Sequence, residues 1–573
     1  LHGWQLMKGV PMFSFVRRPQ VFSVLLLAAA GCSQGGIEPE RTKAPTKAPT
    51  KATEGESAPQ SAVEKIDAVR ADAEALLVDE AVRHGRRLSF SPCEDAPELE
   101  CGQLSVPVDY ARPRGARLEL ATVRAAATGP DRKGVLFVNP GGPGASGVDF
   151  VIQALSLFTA LREHFDIISF DPRGTARSAP VDCEVSLPDP PANNTLDALA
   201  AFNDELGRRY AAACSDQFGP LASQVGTNNV ARDIDVLRSA LGERKMNYLG
   251  FSYGTILGAS YATLFPDRVR AMTLDANTPP AWFDDYLVEL DVEGSSGAEA
   301  ALQRIDQLCG ASASCALRTA GVVATFDRVV ARLNANPVPA PGGVINGFSA
   351  TIVVFSAMYS EAFGWPAIPQ VLARYDGGDY RGLPVISSED GPTALVSSAF
   401  AIACNDFTSR RPGLDYLPRQ SAANAAAPRF SGINFGIAPA LCSAWPRPPV
   451  TPLRNLRTRD SIVLIGNDFD PATPMTWSRN MAAALGSKAQ LVRYQGGGHT
   501  IYGSGSACID TAIESYFVEL TAPAAGLTCA ADALSFGSSA RAASSPTMAE
   551  VVQRVAPKPP TLPRLRQATQ KAR

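Results

Sequence analysis

One alternating segment, Leu118 to Val123, and six short apolar runs, Val135 to Val138, Ile167 to Phe170, Tyr248 to Phe251, Met272 to Leu274, Ile462 to Ile465 and Leu491 to Tyr494, recur along the chain between turn residues. Segments of this length read as strands, and the unbroken apolar ones as strands buried on both faces. Helical spacing separates several of them. The clearest helix covers Asn229 to Leu241, where Val230, Ile234, Leu237 and Leu241 share one face and Asn228 or Asn229 is the expected N-cap. Strands alternating with helices predict an α/β class with a mainly parallel, doubly wound sheet. Between Pro279 and Asn455 the strand rhythm disappears, and Ala, Leu, Gly and Pro dominate at helical spacing. The sheet is therefore expected in two parts, 63–278 and 456–536, separated by a mostly helical cap over 279–455. Such a cap lies above the carboxyl ends of the strands, where open α/β sheets bind ligands.

The ends read differently. Lys8, Arg17 and Arg18 precede the apolar run Val21 to Gly31, which is too short to span a bilayer and reads as a signal peptide. Small residues then lead directly to Cys32, a pattern that resembles the bacterial lipobox and makes 1–32 a lipoprotein signal with Cys32 as the lipidated residue and membrane anchor. Arg17 and Arg18 also allow a twin-arginine signal, although the residues after them fit it poorly. Residues 33–62, with the repeat KAPTKAPTKA from Lys43, hold too little apolar surface to order and read as a tether. The stretch 63–87 reads as weakly helical, and 537–573 as a disordered basic tail.

Of the 11 cysteines, the ten other than Cys32 fall in the presumed folded region, none in a CxxC pair, so disulfides in an exported protein are expected rather than zinc. Pairing neighbours in sequence joins Cys93 with Cys101, Cys183 with Cys214, Cys309 with Cys315, Cys404 with Cys442 and Cys508 with Cys529, a connectivity that sequence alone leaves open. A formal net charge of only -3 carries no whole-chain footprint for nucleic acid, and no such partner is expected. The sequence does not speak to oligomeric state.

Gly250, Phe251, Ser252, Tyr253 and Gly254 match GxSxG between the run NYLG and the helical stretch Thr255 to Phe265. In that context the serine occupies a strained strand-to-helix turn of the α/β-hydrolase type and becomes the candidate nucleophile. A serine hydroxyl needs a base within hydrogen-bond reach. Of the four histidines, His2 precedes the signal peptide, His84 lies in the amino-terminal lead, and His164 stands just before a strand. His499, in GGGHTIYG after the last expected strand, is left as the base. The fold places the acid between serine and histidine in chain order, and IVLIGNDFDPATP offers Asp468 and Asp470. Asp470 is preferred because the loop after Ile465 has room for a turn that Pro471 and Pro474 stiffen; Asp468 reads as a turn cap. Oxyanion donors are expected from the amide of Tyr253 and from the loop Asn139 to Gly144, with Gly142 first and Gly141 second. A P-loop reading of these glycines lacks the Lys and Ser or Thr pair.

The ordered pieces NPGGPGASG from Asn139, FDIISFDPRGTARS from Phe165, RDIDVLRSALG from Arg232, YLGFSYGTILGASYATLFPDRV from Tyr248, AIACND from Ala401, DPATP from Asp470 and GGGH from Gly496 resemble the secreted bacterial tripeptidyl aminopeptidases, relatives of proline iminopeptidase. The even cysteines resemble that family's disulfide pattern as well. The resemblance implies an α/β-hydrolase fold and release of di- or tripeptides from a free amino terminus through an acyl-enzyme, with no metal or organic cofactor. It also implies a cap carboxylate for the substrate ammonium, for which Asp406 is the first candidate and Glu361 the second. One departure stands out: the iminopeptidase branch has histidine where this chain has Asn139. The same site chemistry serves a carboxylesterase, and only the pocket decides. A non-catalytic surface-binding lipoprotein fits less well with Ser252, Asp470 and His499 all in place. Dehalogenases and epoxide hydrolases need an aspartate at position 252.

Overall fold

The computed structural model describes residues 60–85, 87–183, 185, 196–283, 288–387, 394–408, 410, 412, 415, 417–431, 442–446, 461–504 and 506–536. The signal and lipidation site at Cys32, the tether before residue 60 and the basic tail after residue 536 lie outside them. Among the described residues no helix is long and apolar enough to cross a membrane.

Thirteen strands are described: β1 (Phe90–Pro92), β2 (Glu100–Pro107), β3 (Arg117–Ala125), β4 (Gly134–Asn139), β5 (Phe165–Phe170), β6 (Met246–Phe251), β7 (Val269–Asp275), β8 (Val338–Ala340), β9 (Gly343–Ile345), β10 (Ile386–Ser387), β11 (Ile462–Phe469), β12 (Ala489–Gly497) and β13 (Thr528–Cys529). Ten form one sheet in the order β1-β2-β3-β5-β4-β6-β7-β11-β12-β13. Pairing is antiparallel from β1 through β3 to β5 and parallel from β5 to β13. Each of the seven expected strands lies within one of these. In β4, β6 and β11 alternate residues serve opposite faces. Val135, Phe137, Met246, Tyr248, Ile462 and Leu464 enter the core under the helices Thr227–Ala240 and Tyr253–Leu264. Leu136, Val138, Leu249, Phe251, Val463 and Ile465 enter the core under Gly147–Ala154 and Ala507–Glu519. Two buried faces explain the unbroken apolar runs, since a strand whose neighbours all face helices has no wet side to mark with polar residues.

Two expectations are corrected. The helix expected from Asn229 begins at Thr227, with Gly226 as N-cap, so Asn228 and Asn229 lie in its first turn. The stretch beyond Pro279 is not free of strands: β8, β9 and β10 form a small antiparallel sheet, too short and too rich in Pro and Gly to register as a period. Between β7 and β11 the helices Val288–Ala311, Val322–Ala335, Gly347–Met358 and Gly364–Asp376 enclose a third core of Leu302, Phe326, Val354, Trp365 and Ile368. The amino-terminal helix Gln60–His84 packs on the domain, burying Val78 and Ala81 and pairing Glu74 with Arg232 at 2.6 Å.

Several of the sequence pieces named above have structural work. Arg173 of DPRG is fully buried and holds Asp233 of RDID through Nε and Nη2, at 2.7 and 2.5 Å, while the Tyr110 hydroxyl donates to the same carboxylate at 2.8 Å. Asp171 caps the helix Gly147–Ala154 by accepting the Ser146 hydroxyl and the Val148 amide. The structure joins the cysteines as five neighbouring pairs, Cys93–Cys101, Cys183–Cys214, Cys309–Cys315, Cys404–Cys442 and Cys508–Cys529.

Candidate active site

The chain order reverses between β4 and β6. From β4 the sheet grows toward β5 on one side, and from β6 toward β7 on the other. Loops leaving the carboxyl ends of two such strands diverge and leave a crevice. Asn139 to Gly144 leave β4 there and Ser252 follows β6. Ser252 has φ 53° and ψ −126°, a positive-φ conformation unusual for a side-chain-bearing residue. The flanking glycines permit it: a Cβ on Gly250 would lie 2.5 Å from the carbonyl oxygen of Gly254, and one on Gly254 would lie 2.7 Å from Oδ1 of Asn139. The Ser252 amide is tied to the carbonyl of Asp275 on the neighbouring strand at 2.9 Å.

Asp470 and His499 meet at the ends of β11 and β12. Both carboxylate oxygens lie 3.1 Å from Nδ1 of His499, and the two residues are 1 % and 8 % exposed. The carboxylate is held by the amides of Ala472 and Thr473 on Oδ1, both at 2.8 Å, and by the Thr473 hydroxyl on Oδ2 at 2.9 Å. The imidazole is fixed from the cap side: the Tyr359 ring meets it edge-on with centroids 4.8 Å apart, and the His499 amide donates to the Tyr359 carbonyl at 2.9 Å. Asp468 is no turn cap. It lies within β11 and takes a bidentate pair with Arg493 of β12, both bonds 2.7 Å, whereas Asp470 lies beyond the strand's end.

Gly141 comes nearest the serine, a Cβ there lying 2.9 Å from the Tyr253 amide nitrogen. Its own amide, however, donates to Oδ1 of Asn139 at 3.0 Å. Asn139, 3 % exposed, thus braces the loop. Gly141 and Gly142 adopt φ 92° and 110°, and the Gly142–Pro143 peptide is cis. Tyr253 opens the helix Tyr253–Leu264, so its amide belongs to the helix's positive end.

Asp406 is brought near Tyr253 but not as an open carboxylate. Oδ1 accepts the Thr227 amide at 2.7 Å, and Oδ2 accepts the Thr227 hydroxyl at 2.5 Å and the Trp282 indole at 2.8 Å. The Tyr253 hydroxyl bonds to the same Thr227 hydroxyl. Burial outweighs these donors and pushes the Asp406 carboxyl up to about 6. Expected as the first ammonium anchor, Asp406 is instead 2 % exposed and spends its oxygens on protein donors. Glu361 lies beside the histidine loop, accepting the Tyr494 hydroxyl at 2.8 Å, and is raised above the usual carboxylate range by burial.

Asp275, Thr473 and Tyr359 escape the sequence reading. Asp275 leaves one signal, an acid directly after the run Met272 to Leu274; Thr473 lies inside the DPATP piece but nothing in that piece says what it touches. Among the described residues no group of three or more His, Cys, Asp or Glu is placed to hold a metal ion.

The profile of the α/β-hydrolase fold matches residues 134–292, and that described as TAP-like protein matches residues 429–529. Serine protease Hip1 of Mycobacterium tuberculosis is 32 % identical over 493 residues, covering 78 % of this chain and 91 % of that protein. Tripeptidyl aminopeptidase of Streptomyces lividans is 30 % identical over 456 residues, covering 75 % and 84 %. The chain belongs to the tripeptidyl aminopeptidase family of α/β-hydrolases. Members of this family at similar distance carry different names: carboxylesterase B of Mycobacterium tuberculosis is 33 % identical over 455 residues, covering 75 % of this chain and 86 % of that protein. The family thus gives a hydrolase of peptidase or esterase type.

Proposed function

We propose that this member of the tripeptidyl aminopeptidase family is an exported serine exopeptidase that releases di- or tripeptides from the free amino terminus of peptides. The observation that carries this is the buried Asp470–His499 pair at the ends of β11 and β12, in the same sheet whose β6 delivers a serine held at φ 53°. Ser252 attacks the scissile carbonyl while His499 takes its proton through Nε2 and later gives it to the leaving amine. Asp470, on Nδ1, fixes the tautomer and stabilises the imidazolium. The Tyr253 amide receives the oxyanion, and because Asn139 occupies the Gly141 amide, Gly142 is the second donor. Glu361 replaces Asp406 as the candidate for the substrate ammonium. It belongs to the segment, including Tyr359, that covers His499. Export rests on the signal-like run before Cys32 and on five disulfides, with Cys32 the lipid anchor to the cell envelope.

A carboxylesterase is the second reading, favoured by one observation: the oxygens of Asp406 are taken by protein donors. Hydrolysis of three substrates separates the two: a tripeptide anilide with a free amino terminus, the same anilide acetylated, and a short-chain nitrophenyl ester, each repeated with Ser252→Ala. Ser252-dependent cleavage of the free anilide with the acetylated one spared supports the exopeptidase. Cleavage of the ester with neither anilide touched leaves the esterase, and no Ser252-dependent turnover of any substrate overturns both.

A further inference from the structure

Asp275 closes β7, next to the strand that delivers Ser252, and it touches both halves of the proposed machinery. Its backbone carbonyl accepts the Ser252 amide at 2.9 Å. Its Oδ2 accepts the amides of Ile501 and Tyr502, each at 2.9 Å, two and three residues after His499. Between them Thr500 sits at φ 68°, a positive φ that a β-branched residue resists and that only surrounding bonds can hold. The side chain is fully buried, and its Oδ1 has no hydrogen-bond partner among the described residues. A carboxylate placed so is costly, and a structural acceptor for two amides does not need to be an acid: an asparagine carbonyl accepts them as well.

We infer that Asp275 is a positioning residue, whose side chain holds the turn carrying His499 and whose negative charge supports the imidazolium that His499 becomes. The inference rests on the serine-hydrolase reading above. Two titratable groups act on Asp275, His499 from the loop after β12 and Asp470 from the loop after β11. The first favours its ionised form and the second opposes it, while burial pushes the carboxyl up to about 7. Charge on Asp275 and charge on His499 are therefore coupled, and coupling is reciprocal: whatever His499 does for the ionisation of Asp275, Asp275 does for the protonation of His499.

The test compares the full chain as wild type, Asp275→Asn and Asp275→Ala, with Ser252→Ala in parallel. The readouts are the pH profile of kcat/KM on the most readily cleaved of the substrates above and the titration of His499 by NMR. Asparagine keeps the acceptor and removes the charge. Its expected effect is roughly a tenfold loss of kcat with KM little changed, and a shift of the acidic limb and of the His499 titration to lower pH by about one unit. Alanine also frees the turn and is expected to lose roughly a hundredfold. An asparagine variant whose profile and His499 titration superimpose on the wild type overturns the inference and leaves Asp275 a turn acceptor. Absence of Ser252-dependent turnover in the wild type sinks the serine-hydrolase reading instead. The NMR titration then still decides the coupling, an unmoved His499 overturning it.

Discussion

Thr473 holds both oxygens of Asp470: its amide serves Oδ1 at 2.8 Å and its hydroxyl serves Oδ2 at 2.9 Å. The same hydroxyl lies 3.3 Å from Nδ1 of His499, so it borders the contact between the Asp470 carboxylate and the imidazole. Thr473→Val keeps shape and amide and removes only the hydroxyl bond. The expected result is a loss of kcat of roughly tenfold with KM near the wild-type value, because a loosened carboxylate matters most when the imidazole is charged. Steady-state kinetics on the free tripeptide anilide checks this, and an unchanged kcat would remove Thr473 from the mechanism.

Asp470→Asn is a stronger version of the same argument. The amides of Ala472 and Thr473 still find an acceptor, but an amide nitrogen facing Nδ1 favours the wrong imidazole tautomer. A drop in kcat on the order of 10⁴ is expected with the fold intact. Circular dichroism alongside turnover separates lost chemistry from lost structure.

What could be read from the sequence follows from burial. The parallel strands on either side of β6 announce themselves because both their faces are covered, and His499 stands out as a candidate base because so few histidines compete. The strand β2 did not appear in the pattern: its first half, Glu100 to Gln103, is polar and part-exposed, and it pairs antiparallel near the sheet edge. The surroundings of Asp406 are illegible for a different reason. A carboxylate in a cap helix looks the same in sequence whether it faces a pocket or three donors, and those donors, Thr227 and Trp282, lie more than a hundred residues away. Asp275 was missed for the same reason, since its partners Ile501 and Tyr502 belong to another loop.

The buried pair Arg173–Asp233 makes a prediction about stability alone. Arg173→Met leaves Asp233, already raised by burial, with the Tyr110 hydroxyl as its remaining side-chain donor. Removing one partner of such a pair costs about 3–5 kcal/mol. Urea unfolding is expected to show this loss, with kcat per folded molecule retained because Arg173 touches none of Ser252, Asp470 or His499.

The two raised carboxyls predict how stability moves with pH. An aspartate that ionises near 3.8 when unfolded but at about 7 as Asp275, or about 6 as Asp406, binds its proton more tightly in the folded state. Over that interval the folded state holds more protons than the unfolded one, so stability falls as pH rises. The contribution is fully present below about pH 4 and lost by the time the pH has passed through 6 for Asp406 and 7 for Asp275. Asp275→Asn takes one of these groups out of the titration. Against the wild type, its unfolding midpoint is expected to move in the variant's favour between pH 5 and pH 8, even where its kcat is lower. Urea midpoints of both proteins at the two pH values check the sign. A difference that stays constant, or that moves toward the wild type as pH rises, would mean that Asp275 ionises in the ordinary carboxylate range, and the charge it lends His499 would then be present at every working pH.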